Sequence, residues 1–539
     1  MNVKHFNTTS ICIPDENYMV DLSGRILEIR KLIDAHKYFT INRARQYGKT
    51  TTLNELRKSL ESDFYVVALD FESYGAASFK DEDSFCRDFS ADFCSALRED
   101  IRDTDNLMAK IRQLEAYSGD RSIDVRLFPI FRFLHEICAL AGKPLVLIID
   151  EVDSAADNQV FIDFLAQLRA HYQKHRKNRQ YKTFQSVILA GVTDIKHIRG
   201  KISADDEEKE NSPWNIAADF SIDMSFSAEE IRTMLDSYDS DHHIGMDTCD
   251  IAGLIHAYSG GYPFLVSRIC QLIDEQMVPD IFDSLQEAWT ASGIDEAVKK
   301  ILIENNTLFD SLIGKLINYP VLKEQLSGIL LRGDSIEYQP DNEAQSQLQM
   351  YGFIRNDHNT IAVSNRIFEM RLYKYFISES RYLQSMREDA LEHKPAFIKD
   401  GSLNIPLIME RFIETQKTIR DINNTEAEKR FMEEEGREKF LTYLSPIING
   451  TGTYSIEEQT RNRRRMDVVI HFLGKRYVIE LKIWRGERYK EDGERQISEY
   501  MDYFGLSTGY MLSFSFNKKK KTGVEQVRFG NKILYEGIV

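Results

Sequence analysis

Tyr38 to Leu60 reads YFTINRARQYGKTTTLNELRKSL. Tyr38, Phe39, Thr40 and Ile41 are apolar or β-prone, NRARQYG is too polar for a core, and TTLNELRKSL spaces its leucines as a helix does. The stretch is therefore strand, loop, helix. The loop closes on Gly48, Lys49 and Thr50. A phosphate at a helix N-terminus meets unpaired backbone N–H groups and the positive end of the macrodipole. A lysine there reaches the terminal phosphates, and Thr50 is placed to hold Mg²⁺. The full signature G-x-x-x-x-G-K-[ST] has glycine at position 43, where this chain has Arg43.

Leu145 to Asp150, LVLIID, supplies the second half of the pattern. A continuous apolar run is what a strand buried on both faces requires. Asp150 and Glu151 close it, the first placed for a Mg²⁺ shell and the second for polarising an attacking water.

Working outward, 539 residues exceed what one hydrophobic core serves, so about three domains are expected. A composition of 42% hydrophobic and 29% charged residues excludes a disordered array. The net charge of −16 argues against a wholly nucleic-acid-coated surface but leaves room for local basic clusters, at Lys174 to Lys182, Arg461 to Arg465 and Lys518 to Lys521. Each is ordinarily a solvated face. Six scattered cysteines without a C-x-x-C pair read as buried thiols of a reducing compartment. No run approaches 18 apolar residues and MNVKHFNTTS lacks a signal-peptide core, so a soluble cytoplasmic protein with no membrane partner is expected.

In chain order, Ile26, Ile29, Leu32 and Ile33 share a helical face. FYVVALDF, Phe64 to Phe71, is a second buried strand, Phe85–Leu97, Phe128–Leu140 and Phe161–Tyr172 have helical periodicity, and SVILAG, Ser186 to Gly191, is a further strand leading to Thr193 and Asp194. Alternating strands and helices imply a parallel sheet with ligand sites beyond the carboxyl ends of its strands, where a polar residue after Gly191 could sense a terminal phosphate. KISADDEEKEN, Lys201 to Asn211, reads as an exposed loop. Ala228 to Met277 is helical, interrupted by SGGYPF at Ser259 to Phe264, a helix stop followed by a proline-started helix. Residues 295–377 contain Leu348, Tyr351, Gly352 and Phe353, then Ile361 to Val363, then a helix from Asn365, the pattern of a winged helix or of one more lid element. The stretch 378–436 reads as a charged helical connector.

A second constellation lies in Arg461 to Trp484, RNRRRMDVVIHFLGKRYVIELKIW. Two β-prone runs flank Leu473-Gly474, so a hairpin is expected, with Phe472 facing Lys475 and Asp467 facing Glu480. Opposed residues on one face have Cβ atoms about 5 Å apart, and period-two alternation adds Lys482 to that face. Two carboxylates so placed repel unless a divalent cation lies between them, and a neighbouring lysine orients a water for attack on a phosphodiester. Arg463, Arg464 and Arg465 would contact phosphate. Gln496 and Tyr500 share a helix face.

With these residues in view, residues 1 to about 380 resemble the AAA-like ATPases related to the signal-transducing (STAND) P-loop ATPases, on RARQYGKTT, LVLIIDEVD, ILAGVTDI, SPWNIA and SGGYPF. The resemblance implies ATP and Mg²⁺ as cofactors. It implies nucleotide contacts from Arg43, Gln46, Gly48, Lys49, Thr50, Thr51, Thr193 and, from the lid, Pro263; Mg²⁺ held by Thr50 and Asp150; and Glu151 as catalytic base. Residues 437–539 resemble the PD-(D/E)xK nuclease superfamily: Asp467, then Glu480-Leu481-Lys482, then Gln496 to Tyr500. That likeness implies Asp467 and Glu480 as metal ligands, Lys482 as a catalytic residue, and Glu438 or Glu458 as an additional ligand.

The expected fold is α/β: a P-loop parallel-sheet ATPase core (1–225), a helical lid (226–294), a winged-helix-like element (295–377), a connector (378–436) and a smaller α/β PD-(D/E)xK nuclease-like domain (437–539). The expected function is an ATPase coupled to a metal-dependent nuclease acting on nucleic acid, DNA first, with homo-oligomerisation open. The alternative is a nucleotide-switched scaffold whose nuclease-like domain binds without cutting; binding-only relatives commonly lose one of Asp467, Glu480 and Lys482.

Overall fold

In the computed structural model, the chain is described over residues 4–101, 105–192, 214–332, 336–378, 381–423, 433–448, 452–459, 465–483, 487–515, 521–530 and 532–539. It divides into two compact units, the first of Met1–Ile294 with Ser346–Ile354, the second of Asp295–Gln345 with Arg355–Val539.

The first unit opens with α1 (Ser23–Asp34), β1 (Phe39–Asn42), α2 (Lys49–Leu60) and β2 (Tyr65–Asp70). It continues with α3 (Glu82–Asp100), α4 (Asp105–Gly119), α5 (Leu127–Leu140), β3 (Leu145–Asp150), α6 (Gln159–Lys177) and β4 (Ser186–Gly191). The four strands are all parallel in the order β1-β4-β3-β2. Ala218 adds a parallel bridge to Phe39 on the outer side of β1. Val67, Leu69, Leu147, Ile149 and Leu189 face a phenylalanine-rich core of Phe85, Phe89, Phe93, Phe131 and Phe164. Val66, Val146, Ile148 and Ile188 alternate with them and are equally buried. Period two sends these to the opposite face, so the sheet is covered on both sides.

Helix α4, which the periodicity reading did not single out, buries Leu107, Ile111 and Leu114 in the same core. Leu32, expected on the buried face of α1, is only half-buried, whereas Ile26, Ile29 and Ile33 are inside.

The stretch read from sequence as a lid contains α7 (Ala228–His242), α8 (Thr248–Ser259) and α9 (Pro263–Gln276). A reciprocal capping box between Ser227 and Glu230 starts α7. Left-handed Gly260 ends α8 and Pro263 starts α9, as SGGYPF requires. The short α10 (Leu285–Ala288) and α11 (Ala291–Ile301) follow.

Next come α12 (Thr307–Asn318), α13 (Pro320–Ser327), α14 (Glu343–Met350), the hairpin β5 (Ile354–Asp357) and β6 (Thr360–Val363), and α15 (Arg366–Ser378). The remainder is α16 (Arg381–Phe397), the small pair β7 (Ile398–Lys399) and β8 (Ser402–Leu403), α17 (Ile405–Asn423), α18 (Glu433–Ile448), β9 (Gly452–Gln459), β10 (Arg465–Phe472), β11 (Lys475–Ile483), α19 (Glu487–Phe504), β12 (Thr508–Phe514), β13 (Gly523–Phe529) and β14 (Lys532–Ile538). The six long strands form one mixed sheet, β13-β14-β12-β11-β10-β9. The β9-β10-β11 meander is antiparallel, and α19 then crosses over to bring β12 parallel to β11. The stretch read from sequence as a connector carries apolar faces that pack inward. Phe412 of α17 meets Phe440 and Phe514 edge to face, and Tyr443 of α18 donates to Asp389 of α16 at 2.7 Å.

Of the cysteines, Cys86, Cys94 and Cys270 are buried, but Cys249 is exposed. No helix among the described residues is long and apolar enough to cross a membrane.

Candidate functional site

The loop between β1 and α2 begins where the Arg43 N–H donates to the Gly191 carbonyl of β4 at 3.1 Å. Gln46 and Gly48 both take left-handed backbone angles, φ 57° and 74°. That curls the loop over the start of α2, whose N-cap, Gly48, provides no side chain to satisfy the first N–H groups. Lys49 is buried, and its Nζ donates to the Arg43 and Ala44 carbonyls, 3.1 Å each. Burial pulls the amine below its usual range, while Glu151, Asp150 and Asp153 oppose that shift.

The two sequence motifs meet here. Thr50 Oγ1 donates to Asp150 Oδ2 at 2.8 Å, and the other oxygen of Asp150 accepts the Glu151 N–H at 2.9 Å. Burial raises the carboxyl of Asp150 above the ordinary aspartate range, against the pull of Thr50, the Glu151 amide and Lys49. Burial likewise raises Glu151, a non-glycine residue with φ 51° at the end of β3. A hydroxyl and a buried carboxylate oxygen side by side are the hard donors Mg²⁺ prefers, so the residues present fit that ion.

Asp153, Tyr262 and Gly352, to which sequence reasoning gave no individual role at this site, complete the cradle together with the expected Pro263. Asp153 Oδ2 accepts the Val192 N–H at 2.7 Å, tying the acid-bearing loop to the end of β4; the D-E-x-D spacing was its only signal. Tyr262 of the lid turn donates to the Arg45 carbonyl at 2.6 Å and meets Tyr47 edge-on at 4.7 Å. Pro263 stands 3.9 Å from where a Cβ on Gly48 would be. Gly352, far along the chain, sits so close to the loop that a Cβ there would lie 3.2 Å from that of Ala44.

Two expected contacts point elsewhere. The Arg43 guanidinium donates to the carbonyls of Asn42 (2.8 Å) and Ile222 (2.7 Å) and lies over Phe220. The Thr51 hydroxyl accepts the Cys12 N–H at 3.2 Å. Gln46 contributes its backbone turn to the loop, and Thr193 lies outside the described residues.

The second constellation lies on the mixed sheet. Pairing from Phe472↔Lys475 to Val468↔Ile479 is the register expected of a Leu473-Gly474 turn. Glu480 is fully buried, and Lys482 Nζ lies 2.9 Å from its Oε1. Val478, two residues before, packs with Ile497, Tyr500 and Met501 of α19. Glu480 and Lys482 therefore share the α19 face, beneath the helix whose Gln496 Nε2 donates to Tyr500 Oη at 2.7 Å. Glu536, also buried and not anticipated, is in register with Met511, which is in turn in register with Glu480. Asp467 is the next residue of β10 beyond Val468. Its side chain and those of Glu438, Glu458 and Arg465 lie outside the described residues, as do Arg463 and Arg464.

A Walker-type ATPase of Pyrococcus abyssi is similar over 68% of this chain and 99% of its own, at 12% identity and a TM-score of 0.42. Cdc6p from Pyrobaculum aerophilum is similar over 70% and 98%, at 12% identity and 0.32. The ORC2 protein of Aeropyrum pernix, in ADPNP–ADP complexes, is similar over 69% and 98%, at 11% identity and 0.36. No curated protein matches the chain. The family model described as the AAA-like domain matches residues 28–378, well over half of the sequence, and the chain belongs to that family.

Proposed function

We propose that the first unit binds and hydrolyses ATP and that the C-terminal α/β domain cleaves phosphodiester bonds of nucleic acid, DNA first, in a manner gated by the nucleotide. The observation that carries the reading is the Thr50–Asp150 hydrogen bond, which joins the two halves of a nucleotide site from stretches 100 residues apart. Lys49 exchanges its two loop carbonyls for phosphate oxygens, and the N–H groups of the loop and of the first turn of α2 hold the remainder. A divalent cation held by Thr50 and Asp150 neutralises phosphate charge when bound. Glu151, its carboxyl already raised by burial, orients the attacking water and accepts its proton.

For the second activity, the support is a buried glutamate with a lysine at 2.9 Å under a Gln–Tyr-bearing helix. Asp467 and Glu480 would hold the cation, and Lys482 orients the attacking water. The proposed organisation is a core over 1–225, a lid over 226–294, a winged-helix-like element over 295–377, and a nuclease-like domain over 437–539. Because α16 and α17 pack with α18 and the sheet, residues 378–436 are proposed to fold with that last domain.

The test is a cleavage panel of single-stranded, duplex and branched DNA and of RNA, with Mg²⁺ or Mn²⁺, without nucleotide, with ATP, and with a non-hydrolysable analogue. Metal-dependent cutting in one nucleotide state is the expected result. Binding without cutting in every state would replace this reading with a nucleotide-switched scaffold.

A further inference from the structure

Helix α6 ends in Lys174, His175, Arg176 and Lys177. A helix C-terminus favours cations, which accounts for that turn but not for what surrounds it. Arg179 and Lys182 follow in the lead-in to β4, and His36 and Lys37 approach from the turn between α1 and β1. The His36 and His175 rings stack at 5.2 Å, and Arg179 donates to His175 at 3.2 Å. The backing is rigid: Gln185 donates to the Ile33 carbonyl at 2.9 Å and Ser186 to that of Lys37 at 2.6 Å.

Lys174, Arg176, Lys177, Arg179 and Lys182 are exposed, and among the described residues no carboxylate forms an ion pair with any of them. The nearby acids are engaged elsewhere, Asp34 with Arg30 and Glu136 with Lys110. His36 registers the resulting field: burial, then His175, Arg179, Lys182 and Arg176, hold its imidazole below the ordinary value. In a chain of net charge −16, an unneutralised cationic surface marks a place for a polyanion.

The remaining exposed side chains between Gln173 and Lys182 are Gln173, Asn178 and Gln180, all amides. The ring of Tyr181 is covered by His135, stacked at 4.0 Å, with Lys174 5.6 Å from its centroid. A protein partner wants an apolar anchor and a membrane wants an apolar face to insert; this surface has neither. Lys, Arg, Asn and Gln are the residues that contact phosphate and sugar.

We propose that this surface binds the phosphate backbone of nucleic acid without reading its bases. It lies at the start of β1 and β4, whereas the nucleotide cradle lies at their far ends, about 20 Å along a six-residue strand. The two sites do not compete. The proposal is independent of the nuclease reading, because it requires no metal and no cutting.

The test uses the full chain in EDTA without nucleotide, with fluorescence anisotropy on a labelled DNA duplex across a salt series. Arg176→Glu combined with Arg179→Glu is expected to weaken binding at least about tenfold at ~100 mM salt. The slope of log affinity against log salt should become shallower by about 2, since each phosphate that a cation neutralises adds about 0.9 to it. A control pair on other helices of the same unit, Lys31→Glu with Lys58→Glu, is expected to leave the slope unchanged. In the wild type, the His36 imidazole signal followed by NMR should titrate at higher pH when DNA is present, because the added negative charge favours the protonated ring. Unchanged affinity and slope in the Arg176/Arg179 variant would overturn the proposal. So would an equal loss in the control pair, or binding to phosphatidylserine vesicles as tight as to DNA and lost in the same variant.

Discussion

Asp150 serves two opposed ends. Its burial raises the carboxyl above 3.8, so the folded site binds the proton more tightly than the unfolded chain does. Stability without nucleotide therefore falls as pH rises from the ordinary value through the raised one. Asp150→Asn removes that dependence while its carbonyl still accepts the Glu151 N–H. We expect the nucleotide-free variant to melt a few degrees higher, at about 2–4 °C per kcal/mol, while Mg²⁺-dependent ATP turnover is lost. A lower melting temperature would show that the charge is stabilising. Lys49→Ala should abolish nucleotide binding because the amine is the contact made in the ground state, whereas Glu151→Gln should retain binding and stop turnover; equilibrium binding beside a phosphate-release assay separates them. That Lys49, Thr50, Asp150 and Glu151 come together was legible because the end of a parallel strand and the start of the helix after the phosphate loop meet at one edge of the sheet. The direction of Arg43 was not legible: a guanidinium's partner, here the Ile222 carbonyl, is set by tertiary packing and leaves no local trace.

At the scale of elements, the parallel sheet and the lid helices were readable from apolar runs, caps and the Gly-Gly-Tyr-Pro turn. Helix α4 was overlooked although its signal is present, since Leu107, Met108, Ile111, Leu114 and Tyr117 recur at helical spacing and pack on that core. The lid turn gives the sharpest prediction. A Cβ on Gly261 would lie 2.0 Å from the Phe226 carbonyl oxygen, at φ 71°, and the Phe226 N–H donates to the Gly261 carbonyl at 2.7 Å. Backbone must move, so Gly261→Ala should cost at least about 2 kcal/mol and weaken ATP affinity, read by chemical denaturation and nucleotide titration. Tyr262→Phe is the milder companion. Loss of one hydrogen bond to the Arg45 carbonyl should cost about 1 kcal/mol while leaving the fold intact.

At the scale of the whole molecule, the two proposed chemistries are assigned to residues of different units, and variants should separate them. Asp467→Ala should remove metal binding and cleavage together while ATP turnover persists. Lys482→Ala should keep the metal and much of the nucleic-acid affinity and lose rate, because its role is at the attacking water. Calorimetry with Mn²⁺ beside a cleavage assay distinguishes the two, and cleavage that survives Asp467→Ala would place the activity elsewhere. The hairpin register was legible from the Leu473-Gly474 turn alone. The packing of Gly352 against Ala44 was not, since residues so distant in sequence leave no local signature of their meeting. That packing sets an order of synthesis. On the ribosome the phosphate loop is made early, but its last neighbour emerges only when two-thirds of the chain has been translated, and at ~5–20 residues per second the rest follows over roughly ten to forty seconds. A growing chain thus completes the surroundings of its phosphate loop before the hairpin carrying Asp467 and Glu480 exists.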